Sequence, residues 1–251
     1  MQSVAIKAFT FGLCTVLSVT LLLTFEAWLA YHRPMITSHD PPPTPIHIKG
    51  NGSKLLYVVM GDSTAAGRGA DADRSIAIET ARHLAKSHDV TLVNLGASGA
   101  RINDLITKQL TETTALNPDV VLLSAGANDV IRFTPDEKIK TDLNFILSAL
   151  TKNNPNIVIV VPGSGDVGSC PRFEQPLRFI GGLETNRVNR AIETTTKSFP
   201  QVTWIPLADR TSQIFKQEPS LFSEDKFHPN DRGYAIWVEV FNEGLDKALS
   251  H

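Results

Sequence analysis

Only two of the 251 residues are cysteine, and Cys14 and Cys170 lie far apart in the chain. That excludes a disulfide-stapled scaffold, and without a CxxC pair or a Cys/His cluster no structural zinc site is expected. Positive charge is not in excess: 24 Lys+Arg stand against 26 Asp+Glu, a formal net charge of −2, which argues against a nucleic-acid partner. There is no Gly-x-x-x-x-Gly-Lys phosphate loop and no His-Glu-x-x-His metal motif. Gly67 and Gly69 do not extend to a dinucleotide fingerprint, so neither a cofactor nor a metal is expected. No repeat recurs at a period of 20–50 residues. What the chain does have is 42% hydrophobic and 20% charged residues, the balance of a globular protein with a core.

The longest uncharged run is residues 8–25, AFTFGLCTVLSVTLLLTF. As a helix it spans roughly 27 Å, close to the hydrocarbon thickness of a bilayer. Trp28 and Tyr31 follow, where amphipathic rings suit a membrane interface. Cleavage after Ala27 or Ala30 would put Phe25 or Trp28 at −3, where a small residue is wanted. Leu13 before Cys14 likewise spoils a lipoprotein box. Residues 1–31 therefore read as a membrane anchor in preference to a removed signal, although Glu26 is costly in hydrocarbon. Flanking charge sets orientation only weakly. One N-terminal span before one large domain places that domain outside the cytoplasm, or secreted if the segment is cleaved.

Residues 32–53 contain PPPTP and GNGS and read as a spacer. From residue 54 to 251 apolar runs alternate with amphipathic stretches. The runs at 55–60, 90–94, 120–125, 157–161 and 202–207 have strand length and the continuous hydrophobicity of strands buried on both faces. Helical spacing marks 73–86, 102–110, 135–150, 177–197 and 230–249, with a long loop between 207 and 228. This alternation predicts an α/β fold, a three-layer α/β/α sandwich around a five-stranded parallel sheet. Ligands in such sheets bind beyond the C-terminal ends of the strands.

Those ends carry the polar residues. Gly61-Asp62-Ser63 follows the first strand, residues 94–99 the second and Gly126-Ala127-Asn128-Asp129 the third. The loop after the fifth ends in Asp225-Lys226-Phe227-His228. A serine hydroxyl is a weak nucleophile until a base takes its proton. Of the seven histidines only His228 has an aspartate three residues earlier, a spacing that lets a carboxylate hold Nδ1 and leave Nε2 free. Taken singly, Gly-Asp-Ser is as well a surface turn, Asn128 a turn former and Gly99 a positive-φ position. Together, in order after the proper strands, they point to one catalytic edge.

In that order VVMGDS, NLGASG, GAND and DKFHPN resemble the four blocks of the SGNH (GDSL-type) hydrolases over residues 55–249. The resemblance implies a flavodoxin-like fold and a serine esterase or lipase with Ser63 as nucleophile, His228 as general base and Asp225 as its orienting acid. It also implies an oxyanion hole from the backbone N–H of Ser63 and Gly99 and the side-chain amide of Asn128, with Gly99 fitting better than Gly96. Thr64 stands where the family often has leucine, a position without a chemical role. A conventional α/β-hydrolase fits less well, because Ser98 has Gly96 before it but Ala100 after it.

Val130, Ile131 and Phe133, following Asn128, are candidate walls of a substrate pocket. The Gly-rich stretch 162–173 reads as a mobile rim, Arg172 as a solvated charge and Cys170 as a small packed residue. The expected activity is hydrolysis of lipid-like or simple carboxylic esters or thioesters through an acyl-enzyme. Removal of O-acetyl groups from an envelope polysaccharide is the alternative, and a non-catalytic binding module of the same fold is the other class. The expected partners are a small-molecule or lipid ester and, through the N-terminal helix, a membrane.

Overall fold

The computed structural model describes residues 2–36, 40–41 and 44–250. Helix α1 (Gln2–His32) is followed by strand β1 (Ile46–Ile48) and strand β2 (Lys54–Gly61). Then come α2 (Ile76–Leu84), β3 (Asp89–Asn94), α3 (Ile102–Lys108), α4 (Leu110–Leu116) and β4 (Val120–Ser124). The chain continues through α5 (Ala127–Ile131), α6 (Asp136–Asn153), β5 (Val158–Pro162), α7 (Leu177–Thr196) and β6 (Val202–Ile205). It ends with α8 (Leu207–Gln217) and α9 (Asp231–Leu249).

The strands form one sheet in the order β1-β3-β2-β4-β5-β6. The five strands expected from the apolar runs are parallel throughout, and β1 adds an antiparallel edge on β3. The sheet is therefore six-stranded and mixed, not five-stranded and parallel. The extra strand lies inside the stretch read as spacer: three residues flanked by proline and glycine are too few for a periodic signal. Pro42 and Pro43 of the proline run lie outside the described residues.

The continuous apolar runs resolve into two faces with a period of two. On β2, Tyr57 and Val59 point toward α2 and α9, where Ile76, Ala81, Tyr234 and Phe241 complete one core layer. Val58 and Met60 point the other way, toward Leu105 of α3, Ile139 and Leu143 of α6 and Ile192 of α7. Both layers are closed, so the fold is the three-layer α/β/α sandwich expected from the sequence.

Two further departures from the sequence reading have local causes. The segment 102–110 is two helices broken at Gln109, whose backbone leaves helical geometry (φ −130°). The last strand stops at Ile205, because Pro206 starts α8 where a loop is expected. Leu207, Ala208, Thr211 and Phe215 of α8 are buried at helical spacing, a pattern masked by the polar residues between them.

The strand order reverses between β2 and β4, whose neighbours lie on opposite sides, making the C-terminal edge at that point the binding crevice of the fold. The edge carries Gly61 to Ser63, residues 94–99 and Gly126 to Asn128.

Candidate active site

Ser63 sits on a tight turn fixed from three sides. The N–H of Asp62 donates to Ser124 O of the adjacent strand (3.0 Å), and the N–H groups of Ala66 and Arg68 donate to the carbonyls of Asp62 and Ser63. Gly61 takes φ +148°, and a Cβ there would lie 1.8 Å from Ser124 O, so no side chain fits. The Gln109 side chain holds the peptide groups on both sides of Gly61. It accepts from Gly61 N–H (2.9 Å) and donates to Gly61 O (2.8 Å). α3 ends at Lys108 because Gln109 is turned inward to brace the turn that carries Ser63. No local motif announces this contact across 48 positions.

His228 comes from the other end of the chain, on the turn before α9. Lys226 adopts φ +58°, Lys226 N–H donates to Ser223 O and Ser223 N–H to His228 O. This brings the imidazole Nδ1 to 2.7 Å from Asp225 Oδ2 and Nε2 to 2.8 Å from Ser63 Oγ. The three side chains form one hydrogen-bonded line, with Ser63 6% and His228 2% exposed. The second Asp225 oxygen accepts from Ser223 Oγ and from the N–H groups of Phe227 and His228. Burial by itself would raise the Asp225 carboxyl. The hydrogen bond and charge of His228 and the two backbone donors outweigh it and hold the group well below the usual carboxylate range. An ionised Asp225 fixes the proton on Nδ1, leaving Nε2 to accept from the serine hydroxyl.

The loop after β3 approaches the same turn. Asn94 donates to Ala65 O (3.0 Å) and accepts from Gly96 N–H (2.9 Å), and Gly96 lies so close to Ala66 that a Cβ would clash with its backbone. Gly99 has φ +77°, with open space where a Cβ would be. The Gly96 N–H is therefore already spent, whereas among the described residues the N–H groups of Gly99 and Ser63 have no acceptor. Asn128 stands in the first turn of α5 and gives one amide hydrogen to Ala100 O (3.1 Å), which orients the amide and leaves its second hydrogen available. Such donors can stabilise negative charge developing beside a serine.

Val130, Ile131 and Phe133 line, together with Asn128 and Phe227, an apolar cavity of about 430 Å³. Val130 is buried, Ile131 and Phe133 are exposed, and Phe133 is held at φ +50°, an uncommon conformation for an aromatic residue. The stretch 162–173 is packed and mostly buried, with a 3-10 turn at Val167–Ser169, not a loose rim. Nor is Arg172 a solvated charge. It is buried and donates to Asp225 O (3.0 Å), tying this loop to the turn that carries the histidine. Cys170 is buried, and its thiol is raised far above the ordinary range by loss of solvent.

Asp62 is fully enclosed. Burial pushes its carboxyl up to about 6, against the opposing hydrogen bonds from Thr64 N–H and Oγ and the charge of His228. A carboxyl raised above its unfolded value of about 3.9 destabilises the fold only when ionised, so the cost is absent below about pH 4 and complete above about pH 6, on the order of 3 kcal/mol. Asp62→Asn keeps an acceptor for Thr64. It is expected to stabilise the protein by about 2–3 kcal/mol at pH 8 and by almost nothing at pH 4. Urea unfolding at the two pH values measures this, and an equal gain at both would remove Asp62 from the titration.

Residues 59–236 match the sequence profile of the GDSL-like lipase/acylhydrolase family. A GDSL-like esterase of Mycobacterium tuberculosis is 27% identical over 242 residues, spanning 85% of this chain and 72% of that protein. Among solved structures, a lipase/acylhydrolase of Enterococcus faecalis superposes with a TM-score of 0.58 at 17% identity, over 75% of this chain and 94% of the other. An acetylxylan esterase of Geobacillus stearothermophilus, solved as a catalytic mutant, gives 0.57 at 18% identity, over 77% and 95%. At those identities the likeness to the solved structures is one of fold.

Proposed function

Since the chain belongs to the GDSL-like lipase/acylhydrolase family and is an SGNH-type carboxylic ester hydrolase, we propose that it cleaves acyl esters and thioesters through a covalent intermediate on Ser63. The observation that carries this reading is the line from Asp225 through His228 to Ser63, ending beside N–H groups that have no acceptor among the described residues. Ser63 Oγ attacks the substrate carbonyl as its proton passes to His228 Nε2. Ser63 N–H, Gly99 N–H and the free Asn128 amide hydrogen receive the oxyanion. Collapse breaks the bond to the leaving oxygen or sulfur, which takes the proton from Nε2 and departs. Water then attacks the acyl-enzyme, giving a proton to Nε2, and Ser63 leaves with that proton as the free acid is released. Asp225 stays ionised throughout and stabilises the imidazolium.

Lipid-like or simple acyl esters suit the site better than an O-acetylated polysaccharide. A sugar polymer calls for polar groups beside the carbonyl, whereas Val130, Ile131 and Phe133 stand there. A fluorophosphonate probe tests the reading: the full chain is expected to take one covalent label, lost in Ser63→Ala. Labelling that persists in that variant, or none in the parent, refutes it and favours a binding module.

We also read residues 1–31 as an anchor, 32–53 as a connecting segment and 54–251 as the hydrolase domain, held outside the cytoplasm. In support, α1 is long and apolar enough over Phe9–His32 to cross a bilayer. The native protein is expected to stay with membranes in carbonate and to need detergent. A mature N-terminus between residues 26 and 48, found by mass spectrometry, would show instead that the segment is removed.

A further inference from the structure

The end of α1 does more than a tether requires. From Phe9 to Phe25 its apolar side chains, the half-buried Leu23 apart, stand exposed, Phe11 at 76% and Leu21 at 69%. At Glu26 the helix meets the hydrolase domain. The Glu26 carboxylate, only 6% exposed, accepts from Leu177 N–H at the start of α7 (3.3 Å), and Ala30 one turn later is buried. Arg33 donates to Pro171 O and pairs with Glu174 (both 3.1 Å), while Arg172 donates back to Arg33 O (2.6 Å) and Pro34 O (3.2 Å). The segment 26–34 is thus fastened to the loop whose Arg172 also holds Asp225.

Between that segment and the domain lies the 430 Å³ cavity. Ala27, Ala30, Tyr31 and Met35 form one wall, with Asn128 and the residues after it opposite. We propose that this cavity holds the acyl chain of the substrate, that the N-terminal helix is half of its wall, and that the substrate is accordingly a medium- or long-chain acyl ester. The inference rests on the assignment of Ser63, His228 and Asn128 above. A carbonyl oxygen held by Asn128 has this cavity directly beside it, and its volume is that of a small-molecule pocket, about 300–1,000 Å³. The charged side chains in the lining are already engaged, Arg172 by backbone carbonyls and Glu184 by Arg187 (2.8 Å), so what faces the cavity is apolar. The alanines at 27 and 30 leave space on the helix side that a larger residue would fill.

The test uses the full chain in detergent and the ratio of kcat/KM for p-nitrophenyl decanoate to that for p-nitrophenyl acetate. Ala27→Trp fills the cavity from the helix and Ile131→Trp from the domain. Since one displaced methylene is worth about 10-fold or more, each is expected to lower the ratio at least tenfold. Ala27→Leu, a milder change should the tryptophan variant fail to fold, lowers it by a smaller factor in the same direction. Leu22→Trp, on the exposed turn before Glu26, leaves it within twofold. An unchanged ratio in the Ala27 variants, or an equal fall in Leu22→Trp, overturns the proposal. Failure of the underlying catalytic assignment reads out separately, as acetate hydrolysis that survives Ser63→Ala.

Discussion

Ser63→Ala is expected to lower kcat for ester hydrolysis by about 10⁶, leaving the residual rate that bound substrate and oxyanion donors supply without a nucleophile. The loss is large because the proposed acyl-enzyme forms on this hydroxyl, whose proton passes to His228 Nε2, 2.8 Å away. Folding is not at stake. The turn is held by the backbone of residues 61–68 and by Gln109, none of which touches Oγ, so the thermal midpoint is expected to move by no more than a degree or two. Asn128→Ala is the informative contrast. It removes one of the three proposed oxyanion donors and is expected to cost about 10²–10³ in kcat. Its loss appearing in KM alone would place Asn128 in substrate binding and not at the oxyanion. Single-turnover kinetics on a soluble acetate ester separate these cases, and a Ser63→Ala variant with more than a few per cent of parent activity would sink the assignment.

Asp225→Asn is the second large effect, expected at about 10⁴ in kcat by analogy with the same change in other serine triads. An asparagine amide facing Nδ1 favours the opposite tautomer, which puts the imidazole proton on Nε2 where the serine proton must go. It also removes the negative charge beside the imidazolium. In the parent, Asp225 lies well below the usual carboxylate range and stays ionised at any practical assay pH. No acid limb of the rate profile is therefore expected from Asp225 itself within that range. A variant with a normal rate removes Asp225 from the mechanism. The linkage to stability has a definite sign as well. A carboxyl depressed in the native state stabilises the fold above its unfolded value of about 3.9 and loses that contribution as pH falls below it, so Asp225 adds to acid lability.

Much of the architecture was legible because buried parallel strands read as unbroken apolar runs and the helices between them keep their own period. The runs at 55–60, 90–94, 120–125 and 157–161 match strands to within a residue or so at each end. The pieces that escaped have too little sequence to be periodic or are set by contacts from elsewhere. β1 is three residues long, α5 is five, and the break at Gln109 exists because Gly61, 48 positions away, needs both of its peptide groups bonded. Arg172 is the sharpest case. The stretch before it is rich in glycine and serine, the composition of an open loop, yet three carbonyls from two distant segments solvate its guanidinium.

The sequence by itself determined which chemistry was available: one serine after a buried strand, one Asp-x-x-His, and glycine and asparagine at the two intervening strand ends. It did so because parallel α/β topology delivers every C-terminal strand end to one edge, whatever the lengths between them. Only the tertiary structure decided the atoms. It supplied the reason for Gly99, which the resemblance already preferred to Gly96: the Gly96 N–H is bonded to Asn94 and the Gly99 N–H is left unengaged. It also turned Glu26, the one acidic residue that sat badly in an apolar helix, into the contact that docks α1 beside Asn128. Period and composition report how a segment meets solvent on average, whereas hydrogen-bond partners and cavity walls depend on which distant segments arrive at the same place.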